Sequence, residues 1–141
     1  MQKQKKSYTA ISLIAGLVIL AGVTVFIFTM FASTSEEPEA VFGGDGVTFL
    51  GQYGQTYLYT EINEVSLEDN IPEIGYKKNG AGLGEVKKGD WEADGMGTCR
   101  LYIMSDNGPY VVMDTKSGYV IINYSDPEKT KALYEDLLMK R

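Results

Sequence analysis

Between Ser7 and Ser35 the chain carries no charged side chain, and Ile11 to Phe31 reads ISLIAGLVILAGVTVFIFTMF, with Ser12, Thr24 and Thr29 as the polar interruptions. This run constrains the fold more than any other feature, because a helix that is apolar all round has no face to turn toward water. At about 1.5 Å per residue it is about 31 Å long, close to the roughly 30 Å hydrocarbon core of a bilayer. The sequence therefore predicts a transmembrane helix over residues 8–32. The three hydroxyls can return to backbone carbonyls one turn back, and Tyr8 stands where an interfacial aromatic belongs. The competing reading is a cleavable signal peptide, whose apolar stretch is usually about 7–15 residues and ends in a small-x-small site. Here the stretch is longer, bulky Met30 and Phe31 precede Ala32, and no cysteine follows closely for lipid attachment.

The flanks set an expected orientation. Lys3, Lys5 and Lys6 lie in the basic segment 1–7, whereas Glu36, Glu37 and Glu39 follow the apolar run and no lysine recurs until Lys77. The positive-inside rule then puts the N-terminus in the cytoplasm and the rest of the chain outside. Gly16 and Gly22 are not at GxxxG spacing, so nothing argues for helix pairing through small residues. From residue 33 onward ten basic residues face nineteen acidic ones. Such an acidic region lacks the cations that supply most affinity for phosphate backbones, which excludes nucleic acid as a partner. The chain has no histidine and a single cysteine, Cys99. Ser/His/Asp and Cys/His catalysis, histidine metal sites, multi-cysteine zinc clusters and internal disulfides are all excluded. No cofactor and no enzymatic activity are expected.

Residues 33–45, STSEEPEAVFGGD, mix acidic, Pro and Gly residues and read as an acidic flexible linker. Residues 46–141 then form one domain. Short stretches rich in Tyr, Val, Ile and Thr recur at 47–50, 55–60, 64–69, 74–78, 86–92, 98–105, 110–115 and 118–124, separated by turn-forming pairs such as Asn79-Gly80, Asp94-Gly95 and Ser117-Gly118. The turns at Asn107-Gly108-Pro109 and Ser117-Gly118 predict a three-strand meander at the end of the sheet. Asp126-Pro127-Glu128 is a helix start, with an N-cap, a proline in the first turn and an acid near the positive end of the dipole. Ala132, Leu133, Leu137 and Leu138 follow as an apolar stripe. The expected fold is mainly β: a barrel or bent sandwich of about seven antiparallel strands, capped by the C-terminal helix and preceded by one membrane span.

Several pieces stand in order along residues 45 to 140: GQTYLYTEINEVSLED at 54–69, with Tyr59 and Ile62, IPEIGYKKNGAG at 71–82, KKGDWE at 87–92, then CRLYIM, PYVVMD and YVIINYSDPEKTKALYEDL. In these pieces the region resembles the bacterial pleckstrin-homology-like (PH-like) domain family of membrane-anchored proteins. The most distinctive are Asn79-Gly80 and Gly89-Asp90-Trp91, neither of them a catalytic signature. The resemblance implies a helix-capped barrel of seven strands that serves as a binding scaffold, with no agreed enzymatic activity. The chain would then sit in a bacterial cell membrane as a single-pass protein with its PH-like domain extracytoplasmic. A shared fold does not name a ligand.

Several residues qualify as site candidates. Lys77, Lys78, Lys87 and Lys88 are the basic concentration of the domain and flank the glycine-rich stretch Asn79 to Gly84. Ammonium groups beside glycine-loop amides could bind an anion or a lipid headgroup, although GxxxxGK[ST] and GxGxxG are both missing and solvated lysines on a hairpin are the plainer reading. Asn79, Gly80 and Trp91 belong to the same candidate surface. Ten tyrosines are expected mostly as half-buried sheet residues with hydroxyls at the rim. The acids Glu64, Glu68, Asp69, Asp90, Glu92 and Asp94 match no EF-hand pattern and read as solvated. Cys99 reads as a small buried hydrophobe, and Asn123-Tyr-Ser125 is a glycosylation sequon placed in a strand. The first expectation is thus a non-enzymatic module that binds a protein or peptide, or a second copy of itself, by strand addition in a groove between a strand and the terminal helix. The alternative is an anion or headgroup sensor built on the four lysines.

Overall fold

The computed structural model describes the backbone from residue 2 to 141 and the side chains from Ser7 onward, so the side chains of Lys3, Lys5 and Lys6 lie outside the described residues. The chain divides into two compact units, residues 1–33 and 34–141.

The first unit consists of helix α1, Gln2–Ser35, which runs on into the start of the second. Its segment Ser7–Ser35 is long and apolar enough to cross a membrane, and its large apolar side chains from Tyr8 to Phe31 are exposed. The polar interruptions are satisfied within the helix: Ser12 Oγ donates to the Thr9 carbonyl at 2.9 Å, and Thr24 and Thr29 donate to Leu20 and Phe26 at 2.8 Å each. Hydroxyls bound in this way carry no unmet donor into an apolar medium.

In the second unit nine strands, counted among the described residues, form two sheets. The first sheet has the order β1-β2-β3, with β1 at Glu39–Phe42, β2 at Gly46–Leu50 and β3 at Gln55–Leu58, all antiparallel. Strand β1 corrects the expectation of a flexible linker over 33–45. The alternation Glu-Ala-Val-Phe puts Ala40 and Phe42 on one face, where both pack against the core, and this anchors the segment. A single 3-10 turn at Tyr59–Glu61 leads into the second sheet.

That sheet comprises β4 (Ile62–Glu68), β5 (Ile74–Leu83), β6 (Val86–Ala93), β7 (Gly97–Ile103), β8 (Tyr110–Thr115) and β9 (Gly118–Ile122), in the spatial order β4-β8-β9-β7-β6-β5. Two expectations fail here. The strands number nine rather than seven, and they are not all antiparallel: β9 lies between β8 and β7 and pairs with β7 in parallel, Arg100 opposite Val120 and Tyr102 opposite Ile122. The predicted meander β7-β8-β9 is therefore not formed, because the tight β8–β9 hairpin inserts as a unit. Burial explains the choice. Val111 and Met113 of β8, Tyr102 of β7 and Val120 and Ile122 of β9 fill one face, while Cys99, Leu101, Ile103 and Ile121 fill the other, so these strands must be central.

Helix α2, Pro127–Lys140, begins as its sequence predicts, with the Asp126 side chain accepting from the Glu128 amide at 3.0 Å. It covers the β4–β8 end of the sheet with Thr130, Leu133 and Leu137 buried. Ala132 and Leu138, expected on the buried stripe, are exposed.

Candidate functional site

The glycine-rich stretch Asn79 to Gly84 is not a loop. Most of it is the second half of β5, paired residue by residue with β6: Asn79 with Asp90, Gly80 with Gly89, Gly82 with Lys87. Its glycines serve Trp91. A Cβ on Gly82 would stand 3.2 Å from the indole, and one on Gly80 would stand 2.9 Å from the indole nitrogen and 2.3 Å from the Lys88 carbonyl. The indole N–H donates to that same carbonyl at 3.0 Å, and the half-buried ring packs against the Cys99–Leu101 face of the sheet.

The four lysines are not gathered into one cradle. Lys87 and Lys88 are consecutive along β6 and point to opposite faces. Lys87 Nζ donates to Asp106 Oδ1 at 3.2 Å. Lys88 is 2 % exposed, and its ammonium donates to the main-chain carbonyl of Glu36. Burial pulls the Lys88 pKa down, against the Glu36 charge that favours its protonated form. Lys78 contacts the Glu92 carboxylate at 2.9 Å and also donates to Thr98. The hydrogen bond to Glu92 holds Lys78 above its ordinary value and, in return, holds the Glu92 carboxyl below its own. Three of the four ammonium groups are thus committed to acceptors within the domain, and Lys77 is exposed on β5. An anion cradle of these residues is not what the fold builds.

Two other concave features are built: one carries no signal in the sequence, and the other lies between a strand and the terminal helix, where a groove was expected. On the face opposite Trp91, the β6–β7 register brings Asp90 and Arg100 together. Arg100 Nε donates to Asp90 Oδ1 at 2.7 Å, Nη2 to Oδ2 at 3.3 Å, and Nη1 to the Tyr53 carbonyl at 2.8 Å. The Tyr102 hydroxyl reaches the same carbonyl at 2.7 Å. Tyr53 occupies the left-handed region at φ 60, a cost of about 1–3 kcal/mol that these two donors help to hold in place. Beside this network lies a cavity of about 220 Å³, bordered by the β8–β9 turn. Tyr57 lines it at 4 % exposure, its hydroxyl buried and without a hydrogen-bond partner among the described residues, and burial pushes its pKa far up.

The second feature is a groove of about 440 Å³ between the segment leading into β1 and helix α2. Phe42, Tyr124, Ala132 and Leu133 give it apolar walls, and Glu39, Lys129 and Asp136 line it as charges. Glu37 also lines it, accepting from Lys129 Nζ at 2.6 Å and from the Ser125 amide at 3.3 Å. Lys129 also lies 4.3 Å from the Tyr124 ring centre. Tyr124 is buried, and burial, reinforced by Glu37 and Glu39, pushes its pKa up to about 12.

Other candidates resolve simply. Cys99 is fully buried, with burial pushing its thiol up. Asn123 is fully buried and its amide is saturated, accepting from the Met104 and Ser105 amides and donating to the Ser105 and Asn107 carbonyls, so the sequon is not an open acceptor. No group of three or more His, Cys, Asp or Glu placed to hold a metal ion occurs among the described residues. Comparison with protein-family models, curated proteins and solved structures finds no match to this chain.

Proposed function

We infer that the chain is a single-pass membrane-anchored, non-enzymatic interaction module. Its N-terminus is cytoplasmic and its β domain extracytoplasmic, and it takes an extended segment of a partner protein in the groove between β1 and α2. One observation carries this reading: β1 is an edge strand, paired among the described residues with β2 alone, and a groove of about 440 Å³ lies between it and the terminal helix. An edge strand offers unpaired main-chain groups, and an apolar wall beside it offers pockets for alternate side chains, which is how strand addition obtains affinity and specificity. Phe42, Tyr124 and Leu133 supply that wall. The resemblance of residues 45–140 to bacterial PH-like domains supports a binding scaffold, and the apolar α1 supports a membrane anchor.

The test is selection of a displayed library of extended peptides against the full chain in nanodiscs. Peptides with alternating apolar residues should be enriched. They should bind an Ala132→Arg variant at least about tenfold more weakly, since Ala132 is exposed in the groove and its change leaves the core untouched. Failure to enrich any peptide class, or equal binding to the variant, would refute the groove as the site.

A further inference from the structure

We propose that the cavity beside Asp90 and Arg100 is a second binding site, independent of the groove, for a neutral polyhydroxylated ligand of monosaccharide size. Among the described residues, Asp90 and Arg100 are the only charged ones that line it, and each neutralises the other. An anion entering would meet the Asp90 carboxylate and a cation would meet the guanidinium, so the site favours a molecule without net charge.

The pair is still open to hydrogen bonding. Three of the five guanidinium N–H groups are engaged, by the two Asp90 oxygens and the Tyr53 carbonyl, which leaves two. Each Asp90 oxygen keeps a second lone pair. Neighbouring hydroxyls on one carbon skeleton fit that arrangement, one accepting from Arg100 while the other donates to Asp90. Gln55 and Ser117 add side chains of mixed donor and acceptor character, and neither makes a side-chain hydrogen bond among the described residues. At about 220 Å³ the cavity has room for one sugar ring. The floor is rigid: Arg100 is fixed on three sides, and the rim residue Ser117 belongs to a turn held by its amide on Thr115 Oγ1 at 3.2 Å and by Thr115 Oγ1 on the Gly118 carbonyl at 2.6 Å. Preorganised groups lose little freedom on binding.

Saturation-transfer NMR on the full chain in zwitterionic nanodiscs tests this, with D-glucose, D-galactose and N-acetyl-D-glucosamine as probes and acetate, phosphate and acetamide as controls. At least one sugar should give a saturable signal. Asp90→Asn should weaken it about tenfold or more, as expected when a charge-assisted acceptor is lost. Ser117→Trp, at an exposed rim position, should abolish it while leaving thermal unfolding unchanged. Ala132→Arg in the groove should leave it intact, which separates this site from the proposed peptide groove. Silence from all three sugars, a saturable signal confined to the controls, a sugar signal that survives Ser117→Trp, or one removed by Ala132→Arg would overturn the proposal.

Discussion

Replacing Gly80 by alanine puts the reading of the Asn79–Gly84 stretch to a quantitative test. The new Cβ would stand 2.3 Å from the Lys88 carbonyl oxygen and 2.9 Å from the Trp91 indole nitrogen, far inside contact distance. Neither neighbour is a flexible chain end, so β5 must separate from β6 or the indole must leave its place. Loss of the indole hydrogen bond costs about 1 kcal/mol and overpacking about 1–3 kcal/mol, so Gly80→Ala should destabilise the domain by about 2–4 kcal/mol. Gly82→Ala meets only the outer edge of the ring, at 3.2 and 3.3 Å, and a slight tilt relieves it. Its cost should stay below about 1 kcal/mol. Trp91 is the sole tryptophan, so its fluorescence during urea unfolding of the full chain in detergent follows this site directly. A Gly80→Ala variant with wild-type midpoint and emission would show that the stretch is an open loop after all.

The Tyr57 hydroxyl is buried without a partner among the described residues, so Tyr57→Phe should raise stability by about 1 kcal/mol, and a thermal midpoint that falls would contradict the orphan assignment. Tyr124 has a folded pKa near 12 against 10.0 for the free side chain, so its contribution is whole below pH 10 and is lost as pH rises through 12. That amounts to about 3 kcal/mol of alkaline destabilisation, which Tyr124→Phe should remove from the stability–pH curve; identical curves would refute the burial of this phenol. Lys88→Met deletes the tie to the Glu36 carbonyl and should speed cleavage after Glu36 and Glu39 by a glutamate-specific protease several-fold, whereas unchanged cleavage would show that the tie does not hold the segment.

The elements differ in how far their sequence announced them. Helix α1 was legible because 29 uncharged residues, Ser7 to Ser35, leave no alternative periodicity, and α2 because Asp126-Pro127 is a local cap whose hydrogen bond needs no tertiary partner. Strand positions were legible from β-branched and aromatic runs, but their pairing was not. The parallel β7–β9 contact joins residues about twenty apart and depends on which strands need burial on both faces. The glycines from Gly80 to Gly84 misled because glycine marks a turn more often than a bed for an indole. Asp90 and Arg100 carry no local signature; they meet through a hairpin register that sequence pattern leaves open. A groove beside the terminal helix was expected, but the strand that walls it was hidden: Val41 and Phe42 looked too brief to form one, and only pairing with β2 makes them one.

Topology is the claim on which the proposed function rests most heavily. It is tested by placing a single cysteine at Ser117 or at Gln4 in a Cys99→Ala background and labelling intact cells with an impermeant thiol reagent. Labelling at Ser117 with Gln4 protected is the predicted result and puts the β domain outside the membrane. Labelling at Gln4 with Ser117 protected would contradict it, and with it the extracytoplasmic partner.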